Sequence, residues 1–287
     1  MIANVKEILA KAKEGGYAIG AFNVINLETT QAVIQAAHEL RSPVIVQITE
    51  KTMEYAGGRA IFNLVKNISE FYAEEIPVVI HLDHGHSFES IKRAANIGFT
   101  SVMYDGSRKK YEDNAAATKE ITDFCHEKGI NIQAELGYVP YLGEIEIADE
   151  DWIKYMTDPG QAEDFVKKTG VDSLAVAIGN AHDFFKEKKV PDYNRLEIIN
   201  KAISIPLILH GASDWENGKV FEVIKRGISC FNIDTAIRLS FVNSLASNVM
   251  RQGPMNLDIR EFLGAARNAV KNVVKEKIKI FGSDGKV

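Results

Sequence analysis

The chain has 287 residues, of which 46% are hydrophobic and 25% are charged, and a formal net charge of −5, values typical of a globular protein. Its basic residues are scattered among acidic ones, which argues against nucleic acid or a membrane surface as a partner. The longest apolar stretches are far shorter than the roughly 20 residues that cross a bilayer. The two cysteines, Cys125 and Cys230, and an amphipathic rather than apolar start predict a reduced, cytoplasmic protein.

Short apolar runs alternate with longer stretches of helical periodicity, which is the pattern of strands buried on both faces of a parallel sheet. The eight predicted strands are residues 17–22, 44–47, 78–82, 101–104, 131–135, 173–178, 207–210 and 230–233. The predicted helices between and after them are residues 27–40, 55–72, 88–95, 114–126, 159–168, 194–202, 220–225 and 237–250. Asn26 and Ser87 are suited to cap helix N-termini. The residues suited to end helices in the left-handed conformation are Gly98, Gly129, Gly170 and Gly227.

Eight consecutive βα units predict a (β/α)8 (TIM) barrel, formed by residues 1–287 as a single domain. An open doubly wound sheet is disfavoured, because it has fewer strands and a glycine-rich phosphate loop after the first strand, which residues 23–26 do not supply. Residues 257–280 have the pattern of an additional C-terminal helix. We expect that helix to pack outside the barrel or against another subunit.

Three histidines each follow an apolar run: His84 after the third predicted strand, His182 after the sixth, and His210 at the end of the seventh. Barrel enzymes place their reactive groups at the C-terminal ends of strands, and three imidazoles leave one open position on a tetrahedral zinc ion. A structural, hydrogen-bonded histidine is the ordinary interpretation of any one alone, but three in equivalent positions favour a metal site. His86 is a competing ligand in the loop, and His81 is expected to be a packed, hydrogen-bonded imidazole.

Acidic residues accompany these histidines. Asp83 lies between His81 and the candidate ligand His84, where a carboxylate stabilised by nearby positive charge can exchange a proton. Hydrogen bonding to a metal ligand is its alternative role. Asp105 directly follows the fourth predicted strand and Glu135 ends the fifth, where either would orient a ligand histidine, hold a secondary metal or bind substrate.

The segments after the last two predicted strands have the composition of a phosphate site. In barrels these loops often bind an anion through backbone N–H groups. Small residues at 211–213 let the backbone approach a phosphate, and Ser213 and Thr235 add hydroxyl donors. Together with a histidine site nearby, they indicate a phosphorylated substrate.

These motifs, in this order, resemble the class II, zinc-dependent fructose-bisphosphate and tagatose-bisphosphate aldolases. The similarity runs nearly end to end and rests on residues 20–23, 42–44, 81–85, 105–107, 134–137, 169–175, 177–179, 210–213 and 232–235. It implies reversible cleavage of a ketose 1,6-bisphosphate to dihydroxyacetone phosphate and an aldehyde such as glyceraldehyde 3-phosphate. The implied cofactors are Zn²⁺ and a monovalent cation, Na⁺ or K⁺, and the implied assembly is a homodimer or homotetramer.

The resemblance also assigns roles to residues. It implies that His84, His182 and His210 bind the zinc ion and that Asp83 exchanges the proton of the C4 hydroxyl. The substrate and phosphate contacts that it implies are Asn23, Gly179, Asp183, Gly211, Ala212, Ser213, Asn232, Ile233, Asp234, Thr235 and Arg238. A glutamate in the loop after the fifth strand would protonate the enediolate; Glu144 and Glu146 are the candidates, since the family's usual Gly-Gly followed by paired acids is lacking there.

Departures from the family lie around the substrate rather than the metal. Asp183 replaces a glycine beside the phosphate, and a carboxylate 4 Å from a phosphate charge would cost about 4 kcal/mol at an effective dielectric constant of 20. Asp183 therefore turns away, binds a cation or marks a changed substrate. Ala236 replaces an acid thought to contact the far half of the sugar. Asp214 and Trp215 replace a glycine and a small apolar residue, with Trp215 placed either in the pocket wall or at a helix start.

Alternative functions follow from these departures. One is an aldolase of the same family with a changed phosphorylated ketose as substrate. Another is a non-catalytic barrel that binds a sugar phosphate as an accessory subunit, which Asp183 and the altered loop motivate but the retained Asp83 and three histidines oppose. A metal-dependent hydrolase is disfavoured, because it predicts more histidines on the first strand.

Overall fold

The computed structural model describes residues 2–72, 75–141, 147, 149–182, 190–252 and 258–287. These residues include eight parallel strands in chain order, and β1 pairs with β8 to close a barrel. The strands are β1 (Ile19–Asn23), β2 (Val44–Thr49), β3 (Val78–Gly85), β4 (Ser101–Tyr104), β5 (Asn131–Leu136), β6 (Ser173–Val176), β7 (Leu207–Leu209) and β8 (Ile228–Ile233). The predicted (β/α)8 barrel is confirmed.

Helices surround this barrel and cover one of its ends. They are α1 (Val5–Gly15), α2 (Leu27–Glu39), α3 (Glu50–Ala56), α4 (Gly58–Tyr72), α5 (Phe88–Ile97), α6 (Tyr111–Glu127), a 3-10 helix (Asp149–Lys154), α7 (Pro159–Thr169), α8 (Tyr193–Ala202), α9 (Asn217–Lys225), α10 (Thr235–Gln252) and α11 (Ile259–Phe281). The C-terminal helices α10 and α11 pack on each other, and α11 also packs on α2. Within the described ranges, every helix is too short or too polar to cross a membrane.

Helix ends follow the chemistry that the sequence indicates. Asn26 and Ser87 each form a capping box, in which the side chain accepts from the third residue of the helix and that residue bonds back to the cap. Gly98 and Gly170 end α5 and α7 in the left-handed conformation, with φ of 119° and 70°. Local signals therefore fix where these helices begin and end.

Several predicted elements differ from the structure in their bounds, and two of the differences have a clear physical cause. The helix expected over residues 55–72 is two helices, because Gly57 has a φ of 79° and interrupts an apolar periodicity that continues across it. The sixth strand ends at Val176 instead of Ile178, because the next backbone N–H groups bond to side chains. Ala177 N donates to Thr157 Oγ1 at 2.9 Å, and Ile178 N donates to Asn180 Oδ1 at 2.7 Å.

The inside of the barrel is apolar at one end and polar at the other. Ile45, Val79 and Cys230 belong to an apolar cluster that includes residues of α1, which packs on β1 and β8. Further along the same strands, at their C-terminal ends, the residues are polar, such as Gln47 and Asp83. The C-terminal end is where barrel enzymes place their active sites.

Candidate active site

His84, His182 and His210 lie together at this end of the barrel. Each offers a ring nitrogen, and the three nitrogens are all within 4.8 Å of one another. His84 Nε2 lies 3.0 Å from His210 Nδ1, and the ring centroids of His84 and His182 are 5.8 Å apart. Three residues from separate parts of the chain, the first and last of them 126 positions apart, thus converge on one point.

Neighbouring side chains orient these rings. His84 Nδ1 is 2.8 Å from Asp105 Oδ2, and His210 Nε2 is 3.1 Å from Gln133 Oε1. The ring of Tyr141 stacks on that of His182 with centroids 4.3 Å apart. Asp105 and Gln133 thus bind one ring nitrogen of His84 and of His210, so the other nitrogen of each ring is directed at the shared point. This arrangement is common among metal-binding histidines.

The backbone conformation of two residues makes this convergence possible. His84 has a φ of 49°, and the pairing of β3 with β4 shifts register there. A left-handed conformation at a residue other than glycine costs roughly 1–2 kcal/mol, which is the strain expected at a functional position. Gly211 has a φ of 64°, and a Cβ there would lie 2.5 Å from Ala181 O. Glycine therefore allows the loop after His210 to approach the segment that carries His182.

Asp83 lies beside the histidine cluster and is 5% exposed. Its Oδ2 accepts from Asn23 Nδ2 at 2.7 Å. Its Oδ1 accepts from Gln47 Nε2 at 3.3 Å and from Asn232 Nδ2 at 3.2 Å. His84 Nε2 is 3.9 Å from the same Oδ1. Amide donors from three strands thus hold this carboxylate next to the point where the histidines converge.

The electrostatic field at the cluster favours a cation. Burial lowers the pKa of His84, but the surrounding carboxylates, Asp83 foremost, outweigh burial and raise the pKa to about 10. Burial and the charge of Asp105 raise the pKa of Glu135 to about 8. Burial opposes ionisation of Asp105, yet the hydrogen bond from His84 holds the Asp105 pKa well below its usual range. His84, Asp105 and Glu135 also form a second group with ligand atoms within 4.8 Å.

A cavity of about 820 Å³ opens over this cluster, which is within the range of small-molecule sites. It brings together most of the residues that the sequence indicates. Those that line it are Asn23, Asp83, His84, His182, His210, Gly211, Ser213, Asn232, Asp234, Thr235 and Arg238. Arg238 Nη2 pairs with Asp234 Oδ2 at 2.9 Å, and the Arg238 side chain is 54% exposed.

Other predicted residues lie elsewhere. The side chains of Ala212 and Ile233 belong to the hydrophobic core, so only their backbone atoms are available to a phosphate. Gly179 is buried, with a φ of 99°. The remaining predictions, Glu144, Glu146 and Asp183, fall outside the described residues.

The residues that depart from the family pattern also differ in position. Asp214 lines the cavity, whereas Ala236 and Trp215 are 8% and 6% exposed and pack in the core. Trp215 is not among the residues that line the cavity; it directly precedes Glu216, the N-cap of α9, which fits the alternative that it belongs to the helix start. His86 lines the cavity with a side chain that is 60% exposed, and His81 is buried and hydrogen-bonded as expected, with Nδ1 2.7 Å from Ser101 Oγ.

Sequence reasoning missed three residues that contact the cluster. Gln47 ends the predicted second strand, so the positional rule that selected the histidines could have selected it. Gln133 precedes Glu135 by two positions and therefore shares its face of β5. Tyr141 lies in a loop, and no feature of the sequence distinguishes it from the other aromatic residue there, Tyr138.

The chain matches a known enzyme family over nearly its whole length. The family model described as class-II fructose-bisphosphate aldolase matches residues 3–286. The chain belongs to this family. Among relatives, the fructose-bisphosphate aldolase of Thermus caldophilus is 39% identical, with 100% of both chains covered. That of Staphylococcus aureus strain Mu50 is 37% identical, with 99% of each covered.

Solved structures agree with this assignment. The YdjI aldolase of Escherichia coli K12 is 35% identical with a TM-score of 0.86, covering 100% of this chain and 99% of that one. A putative fructose-1,6-biphosphate aldolase of Coccidioides immitis is 30% identical with a TM-score of 0.87, covering 99% and 97%. The predicted family and enzyme class, a metal-dependent lyase of the class II aldolases, are confirmed.

Proposed function

We propose that this chain reversibly cleaves a ketose 1,6-bisphosphate, of the fructose or tagatose type, to dihydroxyacetone phosphate and an aldehyde such as glyceraldehyde 3-phosphate. The observation that carries this proposal is the position of Asp83 beside the converging nitrogens of His84 and His210. The relatives that this chain matches over nearly their full length are named fructose-bisphosphate aldolase, which supports the substrate class.

Zn²⁺ fits the donor set of His84, His182 and His210. Imidazole nitrogens suit zinc, and three protein ligands leave the open position of a catalytic site. The bonds from Asp105 and Gln133 supply the outer contacts that fix ring orientation. When bound, the ion would supply a Lewis acid for the negative charge left on the dihydroxyacetone fragment, worth several kcal/mol.

Asp83 would perform the proton transfer at C4. In cleavage its carboxylate takes the proton of the C4 hydroxyl, the C4 oxygen becomes the aldehyde carbonyl, and the C3–C4 bond breaks with its electron pair remaining on the C3 fragment. In condensation Asp83 returns the proton. The bonds from Asn23, Gln47 and Asn232 hold the carboxylate in place for both directions. Glu144 and Glu146 stay the candidates for protonating C3.

The phosphate would bind at the segments after β7 and β8. Helix α10 begins at Thr235 at the cavity, and the N–H groups of a helix N-terminus attract anions. Ser213 and Thr235 add hydroxyl donors, while Ala212 and Ile233 would contribute backbone groups. The family resemblance implies that Asp183 lies beside this phosphate, and a monovalent cation, Na⁺ or K⁺, would offset its charge.

We also propose a single-domain cytoplasmic protein that forms homodimers or homotetramers. The C-terminal helices support self-association, because α10 and α11 expose the apolar side chains of Val242, Val249, Met250 and Ile259. Cys125 and Cys230 are buried free thiols, consistent with a reducing compartment.

A panel of ketose phosphates tests the function. Purified protein is incubated with fructose 1,6-bisphosphate, tagatose 1,6-bisphosphate and ketose 1-phosphates, and the released triose phosphate is measured for the wild type and for Asp183→Gly. We expect turnover of a ketose bisphosphate. If the wild type turns over a different ketose phosphate and Asp183→Gly gains turnover of the bisphosphates, then the residues that differ from the family pattern contribute to substrate specificity. Binding of an enediolate mimic without turnover of any ketose phosphate would contradict the proposal and favour an accessory barrel.

A further inference from the structure

A polar layer lies inside the barrel immediately below Asp83. His81 precedes Asp83 by two residues on β3. The direct partner of His81 on the neighbouring strand β2 is Gln47. Gln47, His81 and Asn232 are 1%, 2% and 8% exposed. Barrel interiors are ordinarily filled by branched apolar side chains, and buried polar atoms are ordinarily hydrogen-bonded. This layer therefore requires partners for its polar atoms.

Each of these three residues has one buried polar atom that makes no hydrogen bond to the described residues. His81 Nε2, Gln47 Oε1 and Asn232 Oδ1 are buried and lack a hydrogen-bond partner among the residues that the structure describes. The three residues line one small cavity of about 10 Å³. That volume is close to what a single water molecule needs, and a buried water binds stably when two to four polar groups surround it.

The donor and acceptor pattern matches one water molecule. A carboxylate only accepts, so Gln47 and Asn232 must direct their NH₂ groups at Asp83 and their carbonyl oxygens away from it. Burial lowers the pKa of His81 to about 4, so its ring is neutral at pH 7 and carries one N–H. A water offers two donors for the two carbonyl oxygens and accepts from one N–H.

We propose that one buried water in this cavity accepts from His81 Nε2–H and donates to the carbonyl oxygens of Gln47 and Asn232, which makes His81 a positioning residue for Asp83. The hydroxyl of Ser101 then donates to His81 Nδ1, the contact seen at 2.7 Å. The inference rests on the proposed function, in which Asp83 exchanges the C4 proton.

The bridge explains why the amides keep their donors on Asp83. Without a donor below them, the carbonyl oxygens of Gln47 and Asn232 would be left buried and unbonded, which favours rotation of the amides away from the carboxylate. Misplacing Asp83 affects proton transfer and leaves the phosphate loops unchanged. Replacing His81 is therefore expected to lower kcat and to leave KM unchanged.

The water and the ring proton can be measured without turnover. A crystal structure at about 1.2 Å resolution should show a water within about 3.2 Å of His81 Nε2, Gln47 Oε1 and Asn232 Oδ1. Nitrogen NMR of the histidine rings should show His81 protonated on Nε2. A cavity without water density, or a proton on Nδ1, would overturn the proposal. Both results stand even if the wild type cleaves no ketose phosphate, an outcome that would reject the proposed function alone.

Substitutions test the positioning role. His81→Phe keeps an aromatic ring at this position but removes both nitrogens. We expect kcat to fall about tenfold, with KM and the bound metal unchanged. His81→Gln restores a donor and should recover most of the loss. Val79→Ala, two residues earlier on the same strand and equally buried, should lower the melting temperature and leave kcat unchanged. Wild-type kcat in His81→Phe, no recovery in His81→Gln, or an equal kcat loss in Val79→Ala would contradict the role.

Discussion

The metal side and the phosphate side of the candidate site are built in different ways. On the metal side, Asp83 and His210 are buried and bonded to side chains from other strands of the barrel. On the phosphate side, the cavity is lined by short segments after β7 and β8 and by Arg238, which is half exposed. Buried groups with several partners cannot move independently, whereas exposed ones can. Under the proposed function, we expect the barrel interior to determine the reaction and the rim to determine the substrate.

The positions that depart from the family pattern are not gathered in one place. Asp214 lines the cavity, Ala236 packs in the core, and Asp183 lies outside the described residues. Variants on each side test whether the two sides control separate kinetic parameters.

The largest effect is expected on the metal side, at Asp83. Asp83→Ala removes the group that exchanges the C4 proton, and positioned acid–base groups contribute about 10²–10⁴-fold. We expect kcat for retro-aldol cleavage to fall by that factor, with the metal content of the purified variant unchanged. Near-isosteric Asp83→Asn should lose as much, since an amide cannot accept the proton. Turnover equal to wild type in either variant would place the chemistry elsewhere.

A second variant weakens the metal side without removing a ligand. Asp105→Asn exchanges the carboxylate that holds His84 Nδ1 at 2.8 Å, and loss of such an outer contact typically weakens metal binding about 10–100-fold. The affinity is measured by competition with a chelator. Asp172→Asn is the matched control, because Asp172 pairs with His126 at 3.1 Å outside the site. An equal loss in both variants would show a general effect of removing a largely buried carboxylate that pairs with a histidine.

The smallest effect is expected on the phosphate side, at Arg238. Arg238→Ala removes a half-exposed cation that already pairs with Asp234, so we expect KM to rise about tenfold, roughly 1.4 kcal/mol, with kcat unchanged. Arg260→Ala is its control, because Arg260 pairs with Asp258 at 2.8 Å away from the cavity. A fall in kcat with unchanged KM would break the division between the two sides.

The barrel could be predicted because its strands are buried on both faces. Continuous apolar runs such as residues 76–80 mark such strands, and caps such as Asn26 mark where helices begin. The break at Gly57 was not predictable from periodicity, because the apolar face continues across it into α4. The end of β6 depends on Thr157 and Asn180 bonding to its backbone, and these contacts require the folded chain.

The site could be predicted only in part for a related reason. His84, His182 and His210 each follow an apolar run, so position alone selected them. Gln47 and Gln133 lie inside strands, where their direction depends on register and on which face meets the barrel interior. The position of Gln47 at the end of a predicted strand is a local signal, but the bonds by which Gln47 and Gln133 hold Asp83 and His210 exist only once the strands are in place.

Metal dependence is the most direct test of the proposed mechanism. The protein is stripped with EDTA, and retro-aldol cleavage of the best ketose phosphate is followed while Zn²⁺ is added back in steps. We expect activity to be lost on stripping and to return in proportion to zinc until each chain holds one catalytic ion. Full activity in the metal-free protein would contradict the assignment of His84, His182 and His210 as zinc ligands and the mechanism built on them.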